Sequence, residues 1–211
     1  MSQRTEANYT PLHIAIRHAN VELLGDLLDS GDYNKRNNEG RTAIHYLPWI
    51  RLKPNLVAAL ETIKIAGIDI TAMDPQDRDG FTLGHICLEK NNIELVKLLI
   101  NYGYKFNQRT TSQNIGGYRG TMISAYPLAY AYALFRDRQE RKHKQKNNNN
   151  DGLLDGPRDF DHILKVFSEN CRRLDVTSIQ FCKISTLEGW TPVFDVFTDM
   201  APSRNYSPVT D

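Results

Sequence analysis

The chain has 211 residues, 40% hydrophobic and 24% charged, which is ordinary for a soluble globular protein and enough to bury a sizeable core. Its 26 basic and 25 acidic residues leave a formal net charge of +1, so nothing draws the whole molecule towards nucleic acid or an anionic membrane. The first 30 residues hold no basic stretch followed by an apolar core, and the longest apolar run, 122–135, contains Pro127 and falls short of the roughly 20 residues a membrane helix needs. Three cysteines (Cys87, Cys171 and Cys182) are odd in number and form no CxxC pair, which argues against a disulfide framework or structural zinc and for reduced thiols in the cytoplasm.

A repeat governs the sequence. Thr10-Pro11-Leu12-His13 recurs as Thr42-Ala43-Ile44-His45 and as Thr82-Leu83-Gly84-His85. In the first unit Thr10 is a good N-cap, Pro11 suits the first helical position, and Leu12, Ala15 and Ile16 make one apolar face. A second helix follows at 21–28 with leucines at three- and four-residue spacing, closing at Gly31. The second unit runs from Thr42 to Gly67, 25 residues where the others use 21. Pro48 and Pro54 predict an early end to its inner helix and a longer inter-helix loop around Trp49 and Ile50. The third unit repeats the first, with its outer helix at 93–99 closing at Gly103. Asn38-Glu39-Gly40 and Asp79-Gly80 supply turn chemistry ahead of the Thr, and Gly31, Gly67 and Gly103 stand where a left-handed residue is wanted.

Further on the pattern erodes. Residues 126–131 suggest a fourth inner helix without its Thr and His, and 160–167 its outer helix. Between them lies an insertion, 136–158, with six basic residues in its first half and Asn147 to Asn150 in its second. Residues 189–197 look like the opening of a fifth unit.

This Thr-Pro-Leu-His helix–turn–helix unit resembles the ankyrin repeat, firmly over residues 5–107 and loosely over 121–199. The resemblance implies an all-α ankyrin-repeat solenoid of helix-turn-helix units with β-hairpin-like fingers. It implies a single domain over 1–211, with units at about 5–36, 37–72, 77–108 and 121–175, and 186–211 as a degenerate C-terminal cap. In that family the histidines matching His13, His45 and His85 tie neighbouring repeats together by hydrogen bonds, and protein partners bind along the concave side, on the fingers and the exposed edge of the inner helices. Carried over through the Thr register, the candidate partner-binding residues are Tyr9, Arg17 and His18 in the first unit. Asn38, Arg41, Trp49 and Ile50 follow in the second, Arg78, Phe81, Glu89 and Lys90 in the third, and Trp190 in the last.

Aromatic residues and Arg dominate interface hot spots. Exposed Trp49, Ile50 and Phe81 on adjacent units would make an apolar patch that asks for a partner. The alternative is that Trp49 and Ile50 fold back beneath the Pro48–Pro54 insertion as local core.

Nothing in the chain points to catalysis. No HExxH or other close His/Asp cluster suggests a metal. Gly116-Gly117-Tyr118-Arg119-Gly120 lacks the GxxxxGK[ST] of a phosphate loop, and Cys87 replaces a small core residue. Residues 141–146 form a basic run that reads as a solvated loop, with nuclear import or an acidic surface as alternatives, and it lacks the interleaved aromatics of a single-strand binder. The expectation is a monomeric, cytoplasmic, non-enzymatic adaptor or inhibitor without cofactor that binds a protein partner and not nucleic acid or membrane. Two alternatives stand beside it. One is a targeting module of a larger protein, resembling the ankyrin effectors of intracellular bacteria. The other is an enzyme with a site in 150–200 involving Cys171, Cys182 or His162.

Overall fold

The structure is a computed structural model that describes residues 8–29, 32–71, 75–108, 126–128, 130–132, 134–135, 138 and 160–170, and the backbone of 183–186 and 189–192. The described part is helical, with one two-stranded antiparallel ribbon, Lys183–Thr186 against Gly189–Pro192, in the register Lys183↔Pro192.

Three helix pairs come first. Inner helix α1 (Pro11–Arg17) is followed by outer helix α2 (Val21–Asp29). The second pair is a 3₁₀ helix, Ala43–Trp49, and α3 (Lys53–Ile65). The third is α4 (Leu83–Glu89) and α5 (Ile93–Asn101). The 3₁₀ helix packs between α1 and α4, and α2, α3 and α5 form the outer row. Leu12, Ile16, Leu47, Leu83 and Leu88 from the inner row meet Leu24, Leu56, Leu60, Ile63, Leu95 and Leu99 from the outer row in one core, all at most 1% exposed. Each helix has one apolar stripe, so only stacking closes the core. Residues 127–128, 130–132, 134–135 and 138 are helical, and the helix Phe160–Glu169 follows, its Phe167 ring packing against Phe106 with centroids 5.2 Å apart.

The surplus of the second unit goes elsewhere than the prolines predict. Every inner helix has seven residues and every inter-helix loop three, 18–20, 50–52 and 90–92. All four extra residues lie in α3, which has 13 residues where α2 and α5 have nine. Pro48 sits inside the 3₁₀ helix, and Pro54 occupies the first turn of α3, where its missing N–H has no helical partner to lose. The loops of the first and third units turn through a left-handed residue, Ala19 at φ 54° and Asn91 at φ 52°. In the second unit Ile50 and Leu52 are extended, so the chain travels further before the longer helix begins.

The substitution of glycine in Thr82-Leu83-Gly84-His85 has a local cause. The Tyr104 hydroxyl lies 2.9 Å from the Gly84 N–H and accepts from it. A Cβ on Gly84 would stand 3.0 Å from that oxygen and 3.1 Å from Phe106. At the helix ends Gly67 (φ 74°) and Gly103 (φ 88°) are left-handed, as C-caps of this kind require. Gly31 lies outside the described residues.

Residues 189–192, read as the opening of a degenerate fifth unit with Trp190 at a finger position, form a strand, and Pro192 ends it, where no ladder N–H is needed. The insertion 136–158 is, apart from Arg138, outside the described residues. No helix among the described residues is long and apolar enough to cross a membrane.

Candidate functional site

The Thr–His box is built identically three times. The backbone N–H of Thr10, Thr42 and Thr82 donates to Nδ1 of His13, His45 and His85 at 3.2, 3.1 and 3.2 Å. The three hydroxyls lie 2.7–2.9 Å from the same nitrogen. A nitrogen that accepts an amide N–H carries no proton, so the proton of each neutral ring is on Nε2. In His13 that Nε2–H donates to the Arg41 carbonyl of the next unit at 2.8 Å, which is the inter-repeat tie the family resemblance implies. Burial lowers the His13 pKa, opposed by that bond. His45 is fully buried and its pKa is pushed down to about 4, by burial first and then by the nearby Arg41 charge. The backbone at Pro75 and Phe81 gives it weak opposing support, and among the described residues its Nε2 makes no hydrogen bond of ordinary geometry.

The fingers are held by two buried polar residues placed five positions before the Thr, Asn37 and Asp77. The Asn37 Oδ1 accepts from the N–H of Glu39 and of Arg41, each at 2.9 Å. The Asp77 Oδ1 accepts from Asp79 (3.0 Å) and Phe81 (2.9 Å). The second Asp77 oxygen accepts from Arg41 Nε at 3.0 Å, and Arg41 also pairs with Glu39 at 3.1 Å. Burial works against the Arg41 charge, but Glu39 and Asp77 outweigh it and its pKa is raised. The Arg78 N–H donates to the Glu39 carbonyl at 2.9 Å, and Gly40 leaves room for that approach, since a Cβ there would lie 2.7 Å from Arg78 N.

Beside this network the structure assembles an aromatic track. The Arg17 guanidinium lies 5.6 Å from the Tyr9 ring centre. Tyr9 meets Tyr46 edge-on at 5.4 Å, and Tyr46 meets Trp49 at 5.0 Å. Lys90 Nζ stands 5.4 Å from the Trp49 ring and 2.8 Å from Glu89. The Tyr130 hydroxyl donates to Glu89 at 3.2 Å, and the Tyr130 ring stacks on Phe81 at 4.8 Å. Tyr46 is the buried floor. Its hydroxyl donates to Glu39 (2.8 Å), accepts from Asn37 Nδ2 (2.8 Å) and lies 3.3 Å from the Tyr9 hydroxyl. Burial first, then the bonds to Tyr9 and Glu39, raise its pKa.

The candidate residues therefore divide. Tyr9, Arg17, Trp49, Glu89 and Lys90 come together along the track. Arg17, His18, Asn38 and Arg78 are exposed, and Tyr9, Arg41, Trp49, Glu89 and Lys90 are half-buried. Two expectations need correction. Ile50 is 3% exposed and Phe81 8%, so neither offers an apolar patch. Ile50 turns into the core as the extended loop leaves the 3₁₀ helix, and the Phe81 ring lies under Tyr130. Trp190 is in a strand whose side chains lie outside the described residues.

The residue reading missed Tyr46, Asn37, Asp77 and Asn92. The spacing D/N-x-x-G-x-T marks the two finger residues in the sequence, and an Asn one position before the outer helix recurs as Asn20 and Asn92. Both cap their helices, Asn20 to Leu23 N–H (3.2 Å) and Asn92 to Leu95 N–H (3.1 Å). Of the residues raised for catalysis, His162 is exposed on the helix Phe160–Glu169, and Cys171 and Cys182 lie outside the described residues. Cys87 is fully buried, as a core thiol. Among the described residues no cluster of His, Cys, Asp or Glu could hold a metal ion.

The family model described as ankyrin repeat matches residues 7–38. A search of curated proteins finds no match. Among solved structures, the chain is similar to the human ASB11 ankyrin repeat domain at 17% identity and a TM-score of 0.40, covering 69% of this chain. The chain spans 58% of the length of that domain. Residues 7–38 match as one ankyrin repeat, and the next two units share its Thr–His box and its helix–loop–helix order, so the chain carries one ankyrin repeat and two further units built in the same way.

Proposed function

We propose that the protein is a protein-interaction module, an adaptor or inhibitor, that takes its partner on the side formed by the fingers and inner helices of the first three units. The observation that carries this reading is the track from Arg17 through Tyr9, Tyr46 and Trp49 to Lys90. It is a run of rigid aromatic surface flanked by cations, which is the composition that dominates binding energy at interfaces. Tyr9 and Trp49 are half-buried, so they are fixed before a partner arrives and little side-chain entropy remains to be lost on binding. In solenoids of this kind that side is the extended concave surface.

The test uses the full chain as bait. Tyr9→Ala with Trp49→Ala should reduce capture of the interaction partner at least tenfold while the chain stays folded by circular dichroism at the temperature of the assay. Ile65→Ala, 87% exposed on α3, should leave capture unchanged. Capture that survives the Tyr9 and Trp49 substitutions would move the site to another face.

A further inference from the structure

The same surface has an electrostatic direction that its aromatic content does not explain. In the finger and inner-helix segments of the first two units, 8–20 and 35–49, four cationic side chains (Arg17, Lys35, Arg36 and Arg41) accompany one acidic side chain, Glu39. In the described outer segments of the same units, 21–29 and 53–71, five acidic side chains (Glu22, Asp26, Asp29, Glu61 and Asp69) face two lysines. All seven of those outer charges are exposed, as are Arg17, Lys35 and Arg36.

With the third unit's 75–90 included, the face keeps six cationic side chains against four acidic ones, and pairing cancels only part of them. Glu39 is held by Arg41 and by the Tyr46 hydroxyl, Asp77 by Arg41, and Glu89 by Lys90. Arg36 donates to the carbonyls of Gly40 and Gln76, which position it without neutralising it. Arg78, on the next finger, is exposed beside Asp79. Among the described residues no carboxylate pairs with Arg17, Arg36 or Arg78.

We infer that the partner contributes an extended acidic segment to this track. Its carboxylates would meet Arg17, Arg36 and Arg78, and an apolar or aromatic side chain between them would lie on Trp49. This rests on the reading of the finger and inner-helix side as the binding face and adds the chemistry of what binds. A cation resting on an aromatic ring is only partly hydrated, so Arg17 over Tyr9 is prepared for a carboxylate. The acidic outer row would turn the same segment away from the opposite side, which gives orientation as well as attraction. Nucleic acid fits less well, because Tyr46 is buried and Tyr9 meets it edge-on, leaving no stacked platform for successive bases.

The test is a displayed random-peptide library selected on the full chain, followed by binding of the enriched peptides as labelled synthetic probes. Enriched sequences should be acidic with one aromatic or large aliphatic residue. Their affinity should fall several-fold between about 50 and 300 mM salt, as screened charge pairs require. Arg17→Glu with Arg78→Glu should weaken them at least tenfold, and Glu22→Lys with Asp26→Lys, on the exposed side of α2, should not. Enriched peptides that are neutral or basic, yet still lost on Trp49→Ala, would overturn the acidic assignment and leave the binding face standing. Peptides indifferent to both Trp49→Ala and Arg17→Glu would overturn the face itself. Tighter binding of a twelve-nucleotide oligouridylate than of any acidic peptide would also sink the inference.

Discussion

His45 is a buried structural residue whose protonation state the fold depends on. Its Nδ1 accepts from the Thr42 backbone, so the ring must stay neutral to keep the box. An unfolded histidine takes up its proton near pH 6.5, whereas folded His45 resists until about pH 4. Between those values the unfolded chain binds more protons, so stability is complete above about pH 6.5 and declines as the pH falls towards 4. The contribution at stake is about 3 kcal/mol for this ring. Urea denaturation of the wild type between pH 7 and 4 should show this decline, and His45→Gln should flatten much of it. If the two profiles run parallel, the ring is not the sensitive group. Asp77 is the second residue with a large expected effect. Its carboxylate, 1% exposed, satisfies two backbone N–H groups and the Arg41 guanidinium. Asp77→Ala leaves the two N–H groups unpaired and takes from Arg41 its buried partner, leaving it only Glu39, and should cost about 3 kcal/mol in chemical denaturation, whereas Glu39→Ala, at a half-exposed pair, should cost about 1 kcal/mol or less.

The second helix pair shows what is and is not legible at the scale of an element. The count of extra residues could be read from the Thr42-to-Gly67 spacing, but their place could not. Proline reads as a helix breaker, so Pro48 and Pro54 suggested a loop. A 3₁₀ helix does not use the i−4 carbonyl that a proline ring obstructs, and a first turn has no bond for it to remove, so both prolines are absorbed. The extra turn extends α3 by about 6 Å, and long-range contacts invisible to local pattern hold the loop that leads into the helix. Asn92 Nδ2 donates to the carbonyls of Pro48 (3.0 Å) and Ile50 (2.8 Å). Arg51 donates to the Lys90 carbonyl at 3.0 Å, and Lys53 pairs with Glu94 at 3.1 Å. Asn92→Ser keeps an oxygen to cap α5 but loses both reaches across, and should cost about 2 kcal/mol by thermal unfolding, while Asn20→Ser should cost less than about 0.5 kcal/mol. The same limit applies to the site. Tyr9, Arg17, Trp49 and Lys90 could be placed from the Thr register, but not Tyr46 beneath them, because its role depends on rings from two units meeting.

Across the whole molecule the units are alike in construction and unlike in burial. Ile14 of the first unit is 48% exposed and Leu23 41%. Ile86 and Leu95, at the same distances from Thr82, are at most 1% exposed, because the second unit covers them. Ile14→Lys should therefore cost less than about 1 kcal/mol, and Ile86→Lys should unfold the third unit, as circular dichroism and melting would report. Equal losses would mean that the first unit is covered as the third is. A chain of stacked units ordinarily peels from one end, each link giving way alone. Asn92 ties the third unit to the backbone of the second at two carbonyls, and Lys53, at the start of α3, pairs with Glu94 beside it. Pulled from its two ends, the protein should therefore not surrender these two units one after the other. They should give way together, in a single larger rupture, and Asn92→Ser should split that event into two smaller ones.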